Sequence, residues 1–174
     1  MKQFFSVFIC SFLLGNIAFA QNQFQVLPDK NGGKIFKGII SREVLQSDTS
    51  FTWYAQNLKG YNPDPVALAG LVKNADSLEL LTFMGTWCED SHFIIPKFYT
   101  LVDAAGFSRE RITLIGVDRE KKTLSHLAEA MNIKNVPTII VMKNGKEIGR
   151  VIEFGKYGLF DKELGEILST IDRH

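Results

Sequence analysis

The apolar positions in the second half of the chain alternate between two periods. Leu78 to Met84 is an almost unbroken apolar run, which predicts a strand buried on both faces. From Ser91 to Ala105, residues Ile94, Phe98, Leu101, Val102 and Ala105 recur at helical spacing and predict an amphipathic helix. Pro96 lies inside that helix and predicts a kink. Ile112 to Val117 reads as a second strand, and Thr138 to Met142 as a third. Between them, Leu124, Leu127, Ala128 and Met131 mark another helix. Lys143-Asn144-Gly145-Lys146 contains the Asn-Gly pair of a tight hairpin, so Glu147 to Ile152 returns antiparallel. Phe160, Leu164, Ile167, Leu168 and Ile171 predict a closing helix. After residue 77 the order is therefore β-α-β-α-β-β-α, with parallel units first and then a hairpin under a covering helix.

The first half is less regular. Residues 21–34 are polar, with Pro28, Gly32 and Gly33, and read as a loose lead-in. Lys34 to Ile40 predicts a short strand, and Ser41 caps a brief helix through Leu45. Phe51 to Leu58, with Phe51, Trp53, Tyr54 and Leu58, fits helix and strand equally. In Asn62-Pro63-Asp64-Pro65, Asp64 is a helix cap and Pro65 suits the first helical position. That helix is expected to run to about Lys73 with Val66, Leu68, Ala69 and Val72 inward. No internal repeat or low-complexity segment is visible.

The first 20 residues read as an export signal. Lys2 supplies the positive start, Phe4 to Leu14 the short apolar core, and Ala18-Phe19-Ala20 the small-x-small cleavage pattern. Ser6, Ser11 and Gly15 interrupt the apolar stretch, which argues against a retained membrane span. Cys10 follows Phe8 and Ile9 within the apolar core, so a lipid-modified start is not expected. The expected mature chain runs from Gln21, after a cut behind Ala20, to His174, in the periplasm or outside the cell.

Charge adds little beyond this. The 20 basic and 19 acidic residues nearly balance, and no long basic run offers a nucleic-acid surface. The cysteines add more. After signal removal only Cys88 remains, so no internal disulfide can form in an oxidising compartment. A single thiol there points to intermolecular pairing or a reactive sulfur. Cys88 stands in Trp87-Cys88-Glu89-Asp90-Ser91, between the first long strand and the long helix. Free backbone N–H groups and the partial positive charge of a helix start stabilise a thiolate.

Three features now align. Trp87-Cys88 opens a helix, Pro96 follows eight residues later, and Asn135-Val136-Pro137-Thr138 leads into Ile139-Ile140-Val141-Met142-Lys143-Asn144-Gly145. In this order and spacing the chain resembles the thioredoxin fold family, from about Leu78 to Ile171 but not over residues 21–73. The resemblance implies an α/β fold: a three-layer α/β/α sandwich with a mixed sheet and an N-terminal extension. The expected division is a signal peptide at 1–20, an extension packing on the core at 21–75, and a thioredoxin-like domain at 76–174. It also implies a cis Pro137 facing Cys88, with the Val136 N–H and C=O pairing with an extended peptide. Trp87, Val136, Pro137 and Thr138 are then the substrate-docking residues, and Cys88 the nucleophile.

The departures from the family pattern narrow the chemistry. Ser91 stands where the second cysteine of a dithiol would be. Thr82 replaces a buried aspartate six residues before the nucleophile, and Leu114 replaces its lysine partner. What remains is a monothiol that attacks a disulfide, holds a mixed disulfide and needs an external thiol for release. Ser91 is expected to hydrogen-bond the thiolate. Glu89 and Asp90 oppose a negative sulfur but support the helix start. His92 would offset them if charged or act as a base if neutral. A solvent-facing helical residue is the plainer expectation for it. Cys88, Asp90 and His92 lack a C-x-x-C or a second histidine, so no metal is expected, and no cofactor either. His126 falls on a polar helix side and His174 is terminal. Trp53, Tyr54 and Tyr61 read as packing over the sheet, with an aromatic surface near the cysteine as the alternative.

The sequence therefore carries the expectation of an exported monothiol thiol–disulfide oxidoreductase. Its partner is a protein or small-thiol disulfide at Cys88, with an external reductant, no nucleic acid and no membrane span after signal removal. The alternative is a redox-inactive docking module on the same fold. A thiol sensor, oxidised reversibly at Cys88, is a third reading.

Overall fold

A computed structural model describes residues 23–171; the expected signal segment with its cut behind Ala20, and His174, lie outside them. The apolar runs become strands close to where the pattern puts them. β3 (Leu78–Met84) and β4 (Ile112–Gly116) pair in parallel, with Thr82 opposite Leu114. β5 (Thr138–Lys143) pairs antiparallel with the other side of β3, and β6 (Lys146–Ile152) returns along β5. Asn144 and Gly145 turn that hairpin with φ of 51° and 72°. Both values are left-handed, as the two central residues of a type I′ turn require.

The lead-in reading of residues 21–34 is corrected. It holds β1 (Phe24–Pro28), which pairs antiparallel with β2 (Lys34–Ile40) through a turn at Asp29–Gly33. β1 is short and its apolar residues Phe24, Val26 and Leu27 do not alternate, so no strand period marks it, and its hydrogen bonds come from its partner. Phe24 sets its ring 5.2 Å from that of Phe36. β2 pairs antiparallel with β4, giving one mixed sheet in the order β1-β2-β4-β3-β5-β6. The two backbones meet closely at Gly116, where a Cβ would collide with the Phe36 carbonyl oxygen.

Helices fill both faces. α1 (Arg42–Ser47) is capped by Ser41, whose Oγ accepts from the Val44 N–H. The ambiguous stretch at 51–58 forms the single turn α2 (Trp53–Gln56). α3 (Pro65–Lys73) starts as expected, with Asp64 Oδ1 accepting from Val66 and Ala67. Its inward face is corrected: Ala67 and Leu71 are buried, whereas Val66 and Val72 are 52% and 56% exposed. The cause is the close crossing of α6 (Phe160–Thr170), where a Cβ on Gly165 would lie 2.8 Å from Ala67 N and one on Gly70 2.7 Å from Leu168 Cβ. Only small residues fit that contact, so Ala67 and Gly70 turn inward and the bulkier valines turn out.

α4 (Glu89–Ala104) begins two residues before the expected Ser91 and buries Ile94, Ile95, Phe98, Leu101 and Val102. Pro96 within it has no N–H to donate to the His92 carbonyl. The helix expected around Leu124–Met131 is corrected to a single turn, α5 (Leu127–Ala130). Ser125 and His126 before it are left-handed, with φ of 57° and 56°. Asn132 after it, with φ of 53°, stops the turn. His and Asn enter this region more readily than most residues, a preference that a hydrophobic period does not register.

Alternation along β3 splits the core. Leu80, Thr82 and Met84 face α3, α4 and α6, while Phe83 faces the thinner α5 side with Ile115, Val117, Ala128 and Ile140. The result is the expected three-layer α/β/α arrangement, with the chain from Phe24 to Ile40 contributing two strands to the common sheet.

Candidate active site

Cys88 sits where β3 ends and α4 begins. After Met84 the chain turns through Gly85, Thr86 and Trp87, and Cys88 is the N-cap of α4 with extended backbone, φ −102° and ψ 121°. Its N–H donates to the Gly85 carbonyl at 3.0 Å and its carbonyl accepts from the His92 N–H at 3.0 Å. The sulfur does not cap its own helix. Sγ instead donates to the Val136 carbonyl at 3.1 Å, across the gap to the loop before β5. The Val136–Pro137 peptide bond is cis.

Val136, Pro137 and Thr138 are all buried. Thr138 Oγ1 donates to the Asn135 carbonyl at 2.7 Å, and the Pro137 carbonyl accepts from the Glu153 N–H at 2.7 Å. The carbonyl half of the expected peptide-pairing edge is therefore held by the thiol itself.

The loop before the sulfur is fixed from four sides. Gly85 N–H donates to Ser91 Oγ at 3.2 Å. Trp87 Nε1 donates to the Val117 carbonyl at 2.9 Å, and its ring covers Gly85 so closely that a Cβ there would lie 2.7 Å from the ring. Thr86 Oγ1 donates to the Lys34 carbonyl at 2.8 Å and accepts from the Phe36 N–H at 3.1 Å, tying the loop to β2. The Thr86 carbonyl accepts from His92 Nε2 at 2.8 Å. No local pattern marks Thr86, since its role exists only once β2 lies beside the loop. Arg119 was missed for the same reason. It grips Asp29 with two bonds of 2.7 and 2.8 Å and lays its guanidinium 5.0 Å from the centre of the Trp87 ring.

The remaining candidates separate. Ser91 is fully buried beneath the loop, and among the described residues the sulfur's hydrogen-bond partner is Val136 rather than Ser91. Glu89 and Asp90 lie in the first turn of α4, where acidic side chains favour the helix dipole. Thr82 and Leu114 face each other across β3 and β4, and Thr82 Oγ1 is buried without a hydrogen-bond partner. That hydroxyl is desolvated without return, so Thr82→Val is expected to raise stability by about 1 kcal/mol. Calorimetry checks this; a fall in melting temperature would mean that the hydroxyl is satisfied.

The solvent-facing expectation for His92 is corrected. Its ring stacks on Trp53, with centroids 4.3 Å apart and planes 12° apart, so Trp53 forms part of the site wall. Burial, the largest cause, holds its titration below the ordinary value of 6.5, against smaller opposing effects of the Thr86 carbonyl and Glu89. The unfolded chain thus takes up this proton at higher pH than the folded one. The stability tied to neutral His92 is complete above 6.5 and is lost as pH falls through the folded value. Denaturant titrations across that acidic window should show the loss in wild type and a flatter profile in His92→Gln. Identical profiles would remove His92 as the cause.

Tyr54 is buried, and Tyr61 donates to Asp161 at 2.7 Å, so both serve packing. Among the described residues, no three His, Cys, Asp or Glu side chains gather as a metal site would need. No helix among them is long and apolar enough to cross a membrane.

Residues 67–162 match the family model described as Thioredoxin. The chain is 31% identical to the thioredoxin of Echinococcus granulosus over 96 residues, which are 55% of this chain and 83% of that protein. It is also 31% identical to a thioredoxin of Chlamydia pneumoniae over 100 residues, 58% of this chain and 85% of that one.

Proposed function

The chain belongs to the thioredoxin family, and on that premise we propose that it performs thiol–disulfide exchange with Cys88 as its single attacking sulfur. The observation that carries the reading is the sulfur at the start of α4, 3.1 Å from the Val136 carbonyl beside cis Pro137. The Cys88 thiolate attacks one sulfur of a partner disulfide. A new S–S bond forms as the old one breaks, and the leaving thiolate takes a proton. An external thiolate then attacks the partner's sulfur of the mixed disulfide, forms a new disulfide with it as the bond to Cys88 breaks, and Cys88 leaves as a thiolate in its reduced state. With Ser91 three residues on, no second cysteine among the described residues can perform that release.

The proposal places the mature chain, cut behind Ala20, in the periplasm or outside the cell. The Lys2, Phe4–Leu14 and Ala18–Ala20 pattern supports this. It treats residues 21–75 as an extension packed on a domain spanning 76–174. A docking module without turnover is the second reading, favoured by the burial of Val136 to Thr138 and by Thr82 in place of an acid. Intact-mass measurement separates the two. Incubation with an oxidised small thiol is expected to add one thiol unit to Cys88, removable by fresh reductant. A sulfur that stays unmodified sinks the exchange reading.

A further inference from the structure

A cavity of about 500 Å³ opens between residues 60–65, α4 and the turn that joins β6 to α6. Its walls include Tyr61, Phe93, Phe154, Leu159 and Phe160. Phe93 and Leu159 stand 45% and 58% exposed, while the Phe93 and Phe154 rings meet at 5.6 Å. Size and lining are those of a small-molecule site: mostly apolar, with a few polar groups to fix orientation.

One polar group in the wall is out of keeping with the rest. Lys97 is 9% exposed, and its Nζ donates to the carbonyls of Asn57 and Phe93 at 3.0 and 3.1 Å. That uses two of its three N–H groups. The Phe93 ring lies 3.4 Å from the ammonium and takes the place an anion would fill. Among the described residues no carboxylate comes within ion-pair distance of Lys97. Desolvation correspondingly weakens its hold on the proton.

Two acids also line the cavity, but both are engaged by the wall. Asp161 Oδ2 accepts from the Tyr61 hydroxyl at 2.7 Å and from the Asp64 N–H at 3.0 Å. Asp64 Oδ1 accepts from the first N–H groups of α3. The cation at the α4 wall is left without its counter-charge.

We propose that this cavity binds a small ligand that joins an apolar body to one carboxylate. The carboxylate seats against Lys97, and the body lies among Phe93, Phe154 and Leu159. A charge-assisted bond from the third N–H supplies the missing partner. The exposed Phe93 ring turns aside to admit it, a rotamer change of picoseconds to nanoseconds. A ligand ammonium is disfavoured there, since it would meet a like charge. The site does not involve the Cys88 sulfur and stands whether or not the chain performs exchange.

The test titrates the full chain with 4-phenylbutyrate, 4-phenylbutylamine and 4-phenylbutanol while backbone amide resonances are followed by NMR. Saturable shifts at Phe93, Lys97, Phe154 and Leu159 are expected, with the carboxylate binding at least about tenfold more tightly than the amine. Lys97→Met is expected to bring the carboxylate level with the alcohol. Absence of saturable shifts at these residues, amine binding as tight as carboxylate, or a Lys97→Met protein that keeps the preference overturns the proposal. Should that variant fail to fold, the three-ligand series on the unaltered protein decides alone.

Discussion

Cys88→Ser is expected to lower the turnover of a disulfide by excess external thiol at least about 10³-fold, to the rate of the thiol alone. Loss of a catalytic nucleophile costs at least that much in well-studied enzymes. No second cysteine lies among the described residues to take over, because the chain's other one is Cys10. The fold should hardly notice. Serine keeps a donor toward the Val136 carbonyl, and Cys88 is only half-buried, so stability should stay within about 0.5 kcal/mol. The paired measurement is a rate assay with a melting curve on the same sample. Equal rates in the two proteins would end the exchange reading, and a lost melting transition would show that the sulfur serves the core.

Gly116→Ala is expected to cost about 3 kcal/mol, the upper end of ordinary overpacking, and to lower the melting temperature by roughly 6–12 °C. The added methyl would strike the Phe36 carbonyl oxygen, and a backbone atom has no rotamer with which to yield. β2 must therefore move off β4 near Gly38, its partner in register with Gly116. The damage should reach the site. Lys34 and Phe36 on β2 hold the Thr86 hydroxyl, two residues before Cys88. Exchange should therefore slow even at temperatures where the variant is folded. A melting temperature within 2 °C of wild type would show that β2 does not press on β4 at this point.

The two substitutions mark where the sequence was readable. Strands β3 and β5 and the Asn144-Gly145 turn were legible because their signals are local: a dense apolar run, or two residues that tolerate left-handed backbone. Cys88 was legible because a strand and a helix flank it directly. The face of α3 was not, because Ala67 and Gly70 turn inward only to let α6 approach. β1 was hidden because an edge strand owes its existence to its neighbour's hydrogen bonds. His92 read as exposed because nothing near it in sequence announces Trp53, 39 positions earlier, as its stacking partner. Ser91 read as the thiolate's donor by its spacing, whereas its oxygen is turned to the Gly85 N–H.

The clamp on Thr86 also bears on when the reactive geometry comes into being. Its bonds to Phe36 and Lys34 span 50 and 52 residues, the Cys88–Val136 bond spans 48, and the Arg119–Asp29 pair beside Trp87 spans 90. Each closes a long loop of chain, and such contacts form slowly and late. A partly folded chain thus carries Trp87-Cys88 as an ordinary dipeptide. The arrangement around its sulfur arrives with the completed sheet and is lost with it, so the geometry at this cysteine reports on the integrity of the whole molecule.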